Sequence, residues 1–168
     1  GERAFVQDLK LLKRESLRRD NARIAFKYSL GGDYKVSAGW DPLGPAGCYD
    51  TFGPELSFGA RLGSKLKDDV AIAKWTHSGT QIVDWTPAGS EAPSRNVYPR
   101  FLAFVRESMQ ELTDRGHTVE LAGIFYHLGE NDMSFAPFRE QAVARLASFV
   151  RQSRQDLGLP ALQWYVSQ

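Results

Sequence analysis

The sequence predicts an α/β fold in which a mostly parallel sheet carries helices on both faces, giving three α/β/α layers. Apolar runs at residues 69–75, 119–126 and 162–166 are too short for helices and contain the β-branched and aromatic residues that strands favour. Amphipathic helical patterns at residues 98–115 and 137–157 separate these runs. Because strands that alternate with helices are joined by right-handed crossovers, we expect the strands to be parallel.

The composition is that of an average globular protein, and the length predicts a single domain over residues 1–168. The 21 Lys and Arg residues nearly balance the 20 Asp and Glu residues, so charge gives no reason to expect nucleic acid or an anionic membrane as a partner. No apolar run approaches the roughly 18 residues that span a bilayer. Cys48 is the lone cysteine, and no Cys/His spacing suggests a zinc site, so we expect no metal and no cofactor. These features predict neither the oligomeric state nor the compartment.

The amino-terminal part of the chain predicts a helix, a strand and a long loop. Residues 4–18 have apolar positions at helical spacing among many charges, which is typical of a surface helix. Residues 23–28 alternate apolar and charged side chains, which predicts a half-exposed strand near a sheet edge. Residues 31–53 are rich in Gly and Pro and predict a long ordered loop, a kind of segment that is often functional. Its aromatic residues Trp40 and Tyr49 could equally cover the hydrophobic core or form a surface against which a substrate packs.

A helix is predicted to begin at Pro54 and to end near Leu66. Proline suits the first helical position, and Glu55 places an acid in the positively polarised first turn. We expect one apolar stripe with small residues beside it, which would let the helix approach a sheet: Phe58, Leu62 and Leu66, then Gly59, Ala60 and Gly63.

Two later helices have clear ends. After a proline-rich surface loop at residues 86–99, the helix at 98–115 is predicted to stop at Gly116, and the helix at 137–157 to stop at Gly158. The residues expected to face inward are Phe101, Val105, Met109 and Leu112 in the first helix, and Phe138, Ala142, Leu146, Phe149 and Val150 in the second.

The strand at 119–126, expected to be buried on both faces, organises the predicted site. Small polar residues follow it at 129–132, and a similar group follows the strand at 69–75. At the carboxyl end of a parallel sheet such groups converge on one ligand crevice. A glycine N–H and an asparagine amide are the donors that hold the oxyanion of acyl transfer. Asn131 and Asp132 are equally placed to cap the following helix, and position alone decides neither interpretation.

Two internal catalytic sets are alternative interpretations of the polar residues. Ser78, His127 and Asp132 are the residue types of a serine triad, but no Gly-x-Ser-x-Gly elbow surrounds Ser78. A histidine such as His127 is more often a satisfied interior residue than a catalyst. Glu130 and Asp132 are the residue types of a glycosidase pair, although they are equally suited to orienting nearby backbone.

Three motifs in order resemble the SGNH-hydrolase superfamily, and within it the sialate O-acetylesterase-like carbohydrate esterases of family six. They are Gly53-Pro54-Glu55, Lys74-Trp75-Thr76-His77-Ser78-Gly79-Thr80 with Trp85, and Tyr126-His127-Leu128-Gly129-Glu130-Asn131-Asp132. The resemblance covers residues 53–168. It implies a flavodoxin-like three-layer fold and a hydrolase that removes acetyl groups from sugars through a serine nucleophile and a histidine paired with an aspartate. A secreted or periplasmic location is also typical of the family.

Carried over to this chain, the resemblance implies that Gly79 and Asn131 supply half of the oxyanion hole, Gly79 through its N–H and Asn131 through its side-chain amide. Asn131 fits the superfamily's Gly-x-Asn-Asp register. In the esterase subfamily's Gln-Gly-Glu-x-Asp register the amide position falls instead on Leu128, which cannot donate. The residues expected to contact an acetylated carbohydrate substrate are Ser78, Thr80, Glu130 and Trp40.

The chain departs from the family pattern in two places. It lacks the first block, Gly-Asp-Ser or Gly-Gln-Ser-Asn, and the Asp-x-x-His that closes the pattern after the last strand. We therefore expect an internal piece of a longer protein, with one block before Gly1 and the other after Gln168. The alternative is a catalytically inactive carbohydrate-binding domain in which Trp40, Tyr49 and Trp85 are sugar platforms.

Overall fold

A computed structural model describes residues 4–5, 21–46 and 51–167, and it shows a mixed α/β protein. The chain forms two compact units, one ending at Ser78 and the other beginning at Gly79. Whether residues 1–168 are a single domain therefore stays a prediction. None of the helices in the described ranges combines the length and the apolar character that a bilayer crossing requires.

In the first unit the central strand is β2 (Asn21–Leu30). It pairs antiparallel with β3 (Lys35–Val36) and β4 (Asp41–Leu43), and parallel with β6 (Val70–Trp75). The predicted strand at 23–28 is confirmed, but its edge position is wrong. Because β2 has partners on both sides, even Lys27 is only 6% exposed.

The long loop predicted at 31–53 is wrong in part, since it contains short strands. Besides β3 and β4, β5 (Thr51–Phe52) pairs antiparallel with β1 (Ala4–Phe5). Ala4 and Phe5 are therefore in a strand rather than in the predicted helix, and the remainder of that helix lies outside the described residues. Tyr49 lies outside them as well.

The helix after Pro54 is confirmed as α1 (Glu55–Lys65). Gly59 packs against Leu43 and Ile72, where a Cβ atom would overlap the Leu43 side chain, so the close approach to the sheet is confirmed. The apolar stripe is partly wrong, because Leu56 and Gly59 are buried whereas Leu66 is exposed. The face of α1 that packs against β2 and β6 therefore carries Leu56 and Gly59, and Leu66 lies outside it.

An ion pair links the start of α1 to the end of β6. The Glu55 carboxylate accepts the Gly53 N–H at 2.7 Å and pairs with Lys74 Nζ at 2.8 Å. Glu55 is buried and Lys74 is half-buried. The acid predicted to favour the first turn thus also fixes the strand residue next to Trp75.

The mostly parallel sheet is not confirmed. Parallel pairing joins β2 to β6, and β7 (Ile124–His127) to β8 (Trp164–Ser167). The pairs β1–β5, β2–β3 and β2–β4 are antiparallel. The strand at 69–75 is confirmed but is not buried, because its alternate residues Ala71 and Ala73 are exposed.

In the second unit, β7 and β8 are joined by the predicted helical crossover. The helices are α2 (Tyr98–Asp114), the one-turn α3 (Glu130–Met133) and α4 (Ala136–Asp156). The strand predicted at 119–126 begins only at Ile124. Burial on both of its faces is wrong, since Phe125 is 59% exposed and stacks on Tyr165 at 4.6 Å between ring centroids.

An aromatic core supports the other face of β7. Phe149 of α4 is fully buried, and Trp85 is buried beside it. Phe149 contacts five aromatic rings: Trp85, Tyr98, Phe101, Tyr126 and Trp164. Of the residues predicted to face inward, Phe101, Ala142 and Phe149 are buried, whereas Val105, Met109, Leu112, Phe138, Leu146 and Val150 are half-buried. This core fixes Tyr126 directly before the predicted site.

Candidate active site

The second unit opens with a constrained segment, residues 79–82. Gly79 is exposed and has φ +69°, a left-handed conformation that residues with a side chain rarely adopt. A Cβ at Gly79 would meet nothing within 4 Å, so the requirement for glycine comes from the backbone angle and not from crowding. Thr80 is fully buried, and a 3₁₀ turn follows at Ile82–Trp85.

Asn131 and Asp132 bind this segment. Asn131 Nδ2 donates to the Thr80 carbonyl at 3.2 Å. The Ile82 N–H donates to the Asp132 carboxylate, with distances of 3.0 and 3.2 Å to its two oxygens. Helix capping as the role of these side chains is wrong, since α4 begins at Ala136 without a side-chain cap. The structure thus brings the polar residues after β7 against residues 80–82.

Two further side chains complete the anchoring of residues 79–82. Arg95 Nη2 donates to the Gly79 carbonyl at 2.6 Å and to Asp84 Oδ2 at 3.0 Å. The same Asp84 oxygen accepts the Gln81 N–H at 2.9 Å. Together with Asn131 and Asp132, these contacts fix each residue of the segment through a backbone group. Backbone donors held in this way are pre-organised for binding charge.

Trp85 belongs to this framework and not to a sugar-binding surface. Its indole Nε1–H donates to Thr80 Oγ1 at 3.1 Å, and the ring packs edge-on against Phe101 and Tyr126. The expectation that Trp85 is a sugar platform is therefore wrong. A core position satisfies both the apolar ring and its single donor.

Asp132 is an acid in an unfavourable environment for charge. Its side chain is 1% exposed, and this burial raises the pKa of the carboxyl above its ordinary value. The charge of Asp84 acts in the same direction, whereas the Ile82 N–H and Arg145 oppose it. Burial likewise raises the pKa of the neighbouring Tyr126 hydroxyl, with the charges of Asp132 and Glu130 adding to the effect.

A small pocket lies beside Asp132. Its wall is mostly apolar and includes Ile82, Tyr126, Leu128, Gly129, Met133 and Leu146. Within the described part of the chain, the buried Tyr126 hydroxyl has no hydrogen-bond partner. Leu128 contributes an apolar surface here, at the position where the esterase subfamily's register calls for an amide.

The other predicted substrate residues have different environments. Ser78 is exposed, and Trp40 is half-buried. Glu130 is exposed, and its carboxylate accepts the Gly129 N–H at 3.1 Å. Thr80 is buried with its hydroxyl bonded to Trp85, so its side chain shapes the segment from inside.

The contacts of His127, Asp132 and Glu130 bear on the two internal catalytic sets. His127 is exposed, so its interpretation as an interior histidine is wrong, and its Nδ1 lies 2.8 Å from Ser167 Oγ. Asp132 instead takes the Ile82 N–H, which disfavours a triad with His127. The glycosidase pair is disfavoured as well, because Asp132 is buried whereas Glu130 is exposed.

An Asp-x-x-His sequence does occur at Asp114–His117, away from the position that the family pattern requires. It lies at the end of α2, where Asp114 Oδ1 accepts a hydrogen bond from Gln110 and His117 is exposed. In the ranges that the structure covers, no three His, Cys, Asp or Glu side chains form a group that could hold a metal ion.

Asp84 and Arg95 were not predicted from the sequence as site residues. A signal existed for Asp84, since an acid at the third position of a helical turn can accept the N–H of the residue before the turn, and the Asp84 carboxylate accepts the Gln81 N–H at 2.9 Å. Arg95 gave no signal, because it lies in the loop predicted only as surface and its partners are 11 and 16 residues away.

Comparisons with known proteins agree with this architecture. The family model described as carbohydrate esterase, sialic acid-specific acetylesterase, matches residues 34–168. The search of curated proteins found no match. A crystal structure of a protein from Arabidopsis thaliana, at 1.6 Å resolution, superimposes with a TM-score of 0.67 and 18% identity over 90% of this chain. The chain spans 58% of the length of that protein, and at this identity the likeness concerns the fold. The family match covers most of the chain, which therefore belongs to the sialic acid-specific acetylesterase family of carbohydrate esterases.

Proposed function

We propose that the protein is a carbohydrate esterase that removes O-acetyl groups from sugars, with an acetylated sialic acid as the substrate that the family description suggests. The observation that carries the proposal is the contact between Asn131 and residues 79–82, within the part of the chain that the family model matches. We further propose the three-layer flavodoxin-like arrangement for the domain. The likeness to the Arabidopsis thaliana protein and the parallel pairs β2–β6 and β7–β8 support that arrangement.

The proposed chemistry is acyl transfer through a serine acyl-enzyme. A serine attacks the acetyl carbonyl, a histidine paired with an aspartate takes the serine proton, and the carbonyl oxygen becomes negative. The intermediate then collapses, the bond to the sugar oxygen breaks, and the histidine gives its proton to that oxygen. Water attacks the acetyl-serine in the same way and releases acetate.

The residues of this chain stabilise the negative carbonyl oxygen. Gly79 contributes an N–H on an exposed, conformationally fixed segment. A carboxamide carries two N–H groups, so Asn131 has one for the Thr80 carbonyl and a second for the oxyanion.

The exposed residues Ser78 and Glu130 are proposed to contact the sugar, together with the half-buried Trp40. The Thr80 side chain acts indirectly in this scheme, because it is fully buried. No step in the scheme requires a metal or a cofactor.

The test is hydrolysis of 4-nitrophenyl acetate by the full-length protein and its Asn131→Ala variant. Loss of one oxyanion donor lowers kcat about 100-fold or more, while KM stays close to the wild-type value. Loss of the bond to Thr80 costs only about 1 kcal/mol of stability, so the variant remains folded. Gln110→Ala removes an exposed carboxamide from α2 and serves as the matched control. If Asn131→Ala keeps the wild-type kcat, Asn131 is not an oxyanion donor.

A second candidate function is carbohydrate binding without catalysis. Leu128 favours it, because this side chain lines the pocket and offers no donor where the subfamily pattern has an amide. The two functions are separated by one comparison: a binding protein retains an O-acetylated sugar in equilibrium dialysis without releasing acetate, whereas an esterase releases it.

A further inference from the structure

Arg95 makes two contacts that the family motifs do not include. Its Nη2 atom lies 2.6 Å from the Gly79 carbonyl oxygen and 3.0 Å from Asp84 Oδ2. Among the hydrogen bonds described above for residues 79–82, the bond to Gly79 comes from Arg95. Asn131 and Asp132 act one and three residues further along, on Thr80 and Ile82.

Asp84 gives Arg95 a rigid support. It is 1% exposed, and Arg95 at 3.0 Å provides a counter-charge to its carboxylate. The Asp84 carbonyl also accepts the N–H of the fully buried Val97 at 2.9 Å. Arg95 is therefore held from two directions: by its guanidinium on Asp84 and by the backbone two residues later.

Glycine has more backbone freedom than any other residue, so a catalytic glycine needs external restraint. Gly79 has no side chain through which it could be packed, and its surroundings leave open space. A hydrogen bond from a cationic donor to its carbonyl is a strong restraint of the required kind. Without it, the left-handed conformation of Gly79 is one of several accessible conformations.

We propose that Arg95, supported by Asp84, is a positioning residue that holds Gly79 in the conformation in which its N–H faces the oxyanion. The proposal rests on the proposed esterase function. Arg95 does not touch the substrate in this scheme. It acts by reducing the motion of Gly79, and its loss therefore affects the transition state more than substrate binding.

The experiment measures kcat and KM for 4-nitrophenyl acetate in the full-length protein and in Arg95→Ala, Arg95→Lys and Arg151→Ala. We expect Arg95→Ala to lower kcat about 10- to 100-fold with KM within about twofold of wild type. Arg95→Lys retains a cation that reaches one acceptor at a time, so its kcat is intermediate. Arg151 is an exposed arginine of α4, and its replacement leaves kcat unchanged.

Chemical rescue separates positioning from general stability. Arg95 is 44% exposed, so a guanidinium ion can reach the space that Arg95→Ala creates. We expect millimolar guanidinium chloride to raise kcat of Arg95→Ala and not that of wild type. In parallel, hydrogen exchange of the amides of residues 79–82 is faster in Arg95→Ala than in Arg151→Ala.

Each result decides between named alternatives. Arg95→Ala with wild-type kcat overturns the positioning role alone. A lower kcat that neither lysine nor guanidinium restores, together with a lower melting temperature, assigns Arg95 a structural role and also overturns it. Absence of hydrolysis in the wild-type protein overturns the proposed function, and the positioning role falls with it.

Discussion

Substitutions of Asp132 separate the hydrogen bond that its carboxylate accepts from the effect of its buried charge. The carboxylate accepts the buried Ile82 N–H, and as a charged group it is disfavoured by burial. Asp132→Asn keeps an acceptor of nearly the same shape and removes the charge. Asp132→Ala removes both. The two variants therefore differ mainly in whether the Ile82 N–H keeps its partner.

The magnitudes follow from this difference. A buried N–H without an acceptor costs about 1–3 kcal/mol, so we expect Asp132→Ala to lower the free energy of unfolding by about 2 kcal/mol. For a protein of this size, that loss lowers the melting temperature by about 4–8 °C. Asp132→Asn stays within about 1 kcal/mol of wild type at pH 7, because its remaining carbonyl oxygen still serves Ile82.

The pH dependence has a definite sign. The folded-state pKa of Asp132 is raised above its ordinary value of 3.8, so the folded protein holds this proton more tightly than the unfolded chain. The stability that Asp132 contributes is fully present below that ordinary value. This contribution is lost as the pH rises through the folded-state pKa. Above the folded-state pKa, the stability no longer changes with the titration of Asp132.

Urea unfolding at a series of pH values measures both effects. Relative to Asp132→Asn, the wild-type protein is expected to lose stability as the pH is raised from acid towards neutral. Parallel stability curves for the two proteins would refute the raised pKa. Equal stability of Asp132→Ala and Asp132→Asn at pH 7 would refute the role of the Ile82 hydrogen bond.

Two more predictions concern the support beneath the site. Phe149→Ala leaves a cavity among five aromatic rings, and we expect it to lower the free energy of unfolding in urea by about 3–5 kcal/mol. The loss is larger than that of Phe138→Ala, which changes a half-buried position of the same helix. Equal losses would contradict the central position of Phe149. Thr80→Val keeps the shape of the side chain but removes the hydroxyl that accepts the Trp85 N–H, so we expect the free energy of unfolding to fall by about 1–3 kcal/mol. Thr113→Val, on the exposed surface of α2, is the control and changes the free energy of unfolding by less than about 0.5 kcal/mol. A Thr80→Val protein as stable as wild type would show that this hydrogen bond contributes nothing.

The sequence predicted best those features that depend on residues adjacent in the chain, such as the extent of the helices. The helices α2 and α4 have the predicted extent within two residues at each end, because their apolar periodicity is local. Gly116 and Gly158 end them in left-handed conformations, with φ of +89° and +71°. Such stops need only the residue itself and the turn before it.

Burial and strand order were harder to predict, because they depend on distant partners. The alternation in β2 is that of an edge strand, yet β2 is central because β4 and β6, more than ten and forty residues away, pair with it. Phe125 and Ala71 lie in apolar runs and are nevertheless exposed. An apolar run therefore predicts a strand but does not predict whether one or both faces of the strand are buried.

The candidate site shows the same division. Asn131 was identified from its position after a strand and from a motif, and both are local signals. Its bond to Thr80, the Asp132–Ile82 contact and the Arg95 contact span 16 to 51 residues. Contacts of this kind follow from the folded chain, so the residues that support a catalytic donor are harder to find than the donor itself.

The most direct test of the central proposal is acetate release from O-acetylated sialic acid by the full-length protein, followed enzymatically alongside an unacetylated sialic acid control. Acetate should accumulate in proportion to enzyme concentration with the acetylated sugar, and be absent with the control. Retention of the acetylated sugar without any acetate would contradict the esterase and identify a carbohydrate-binding protein.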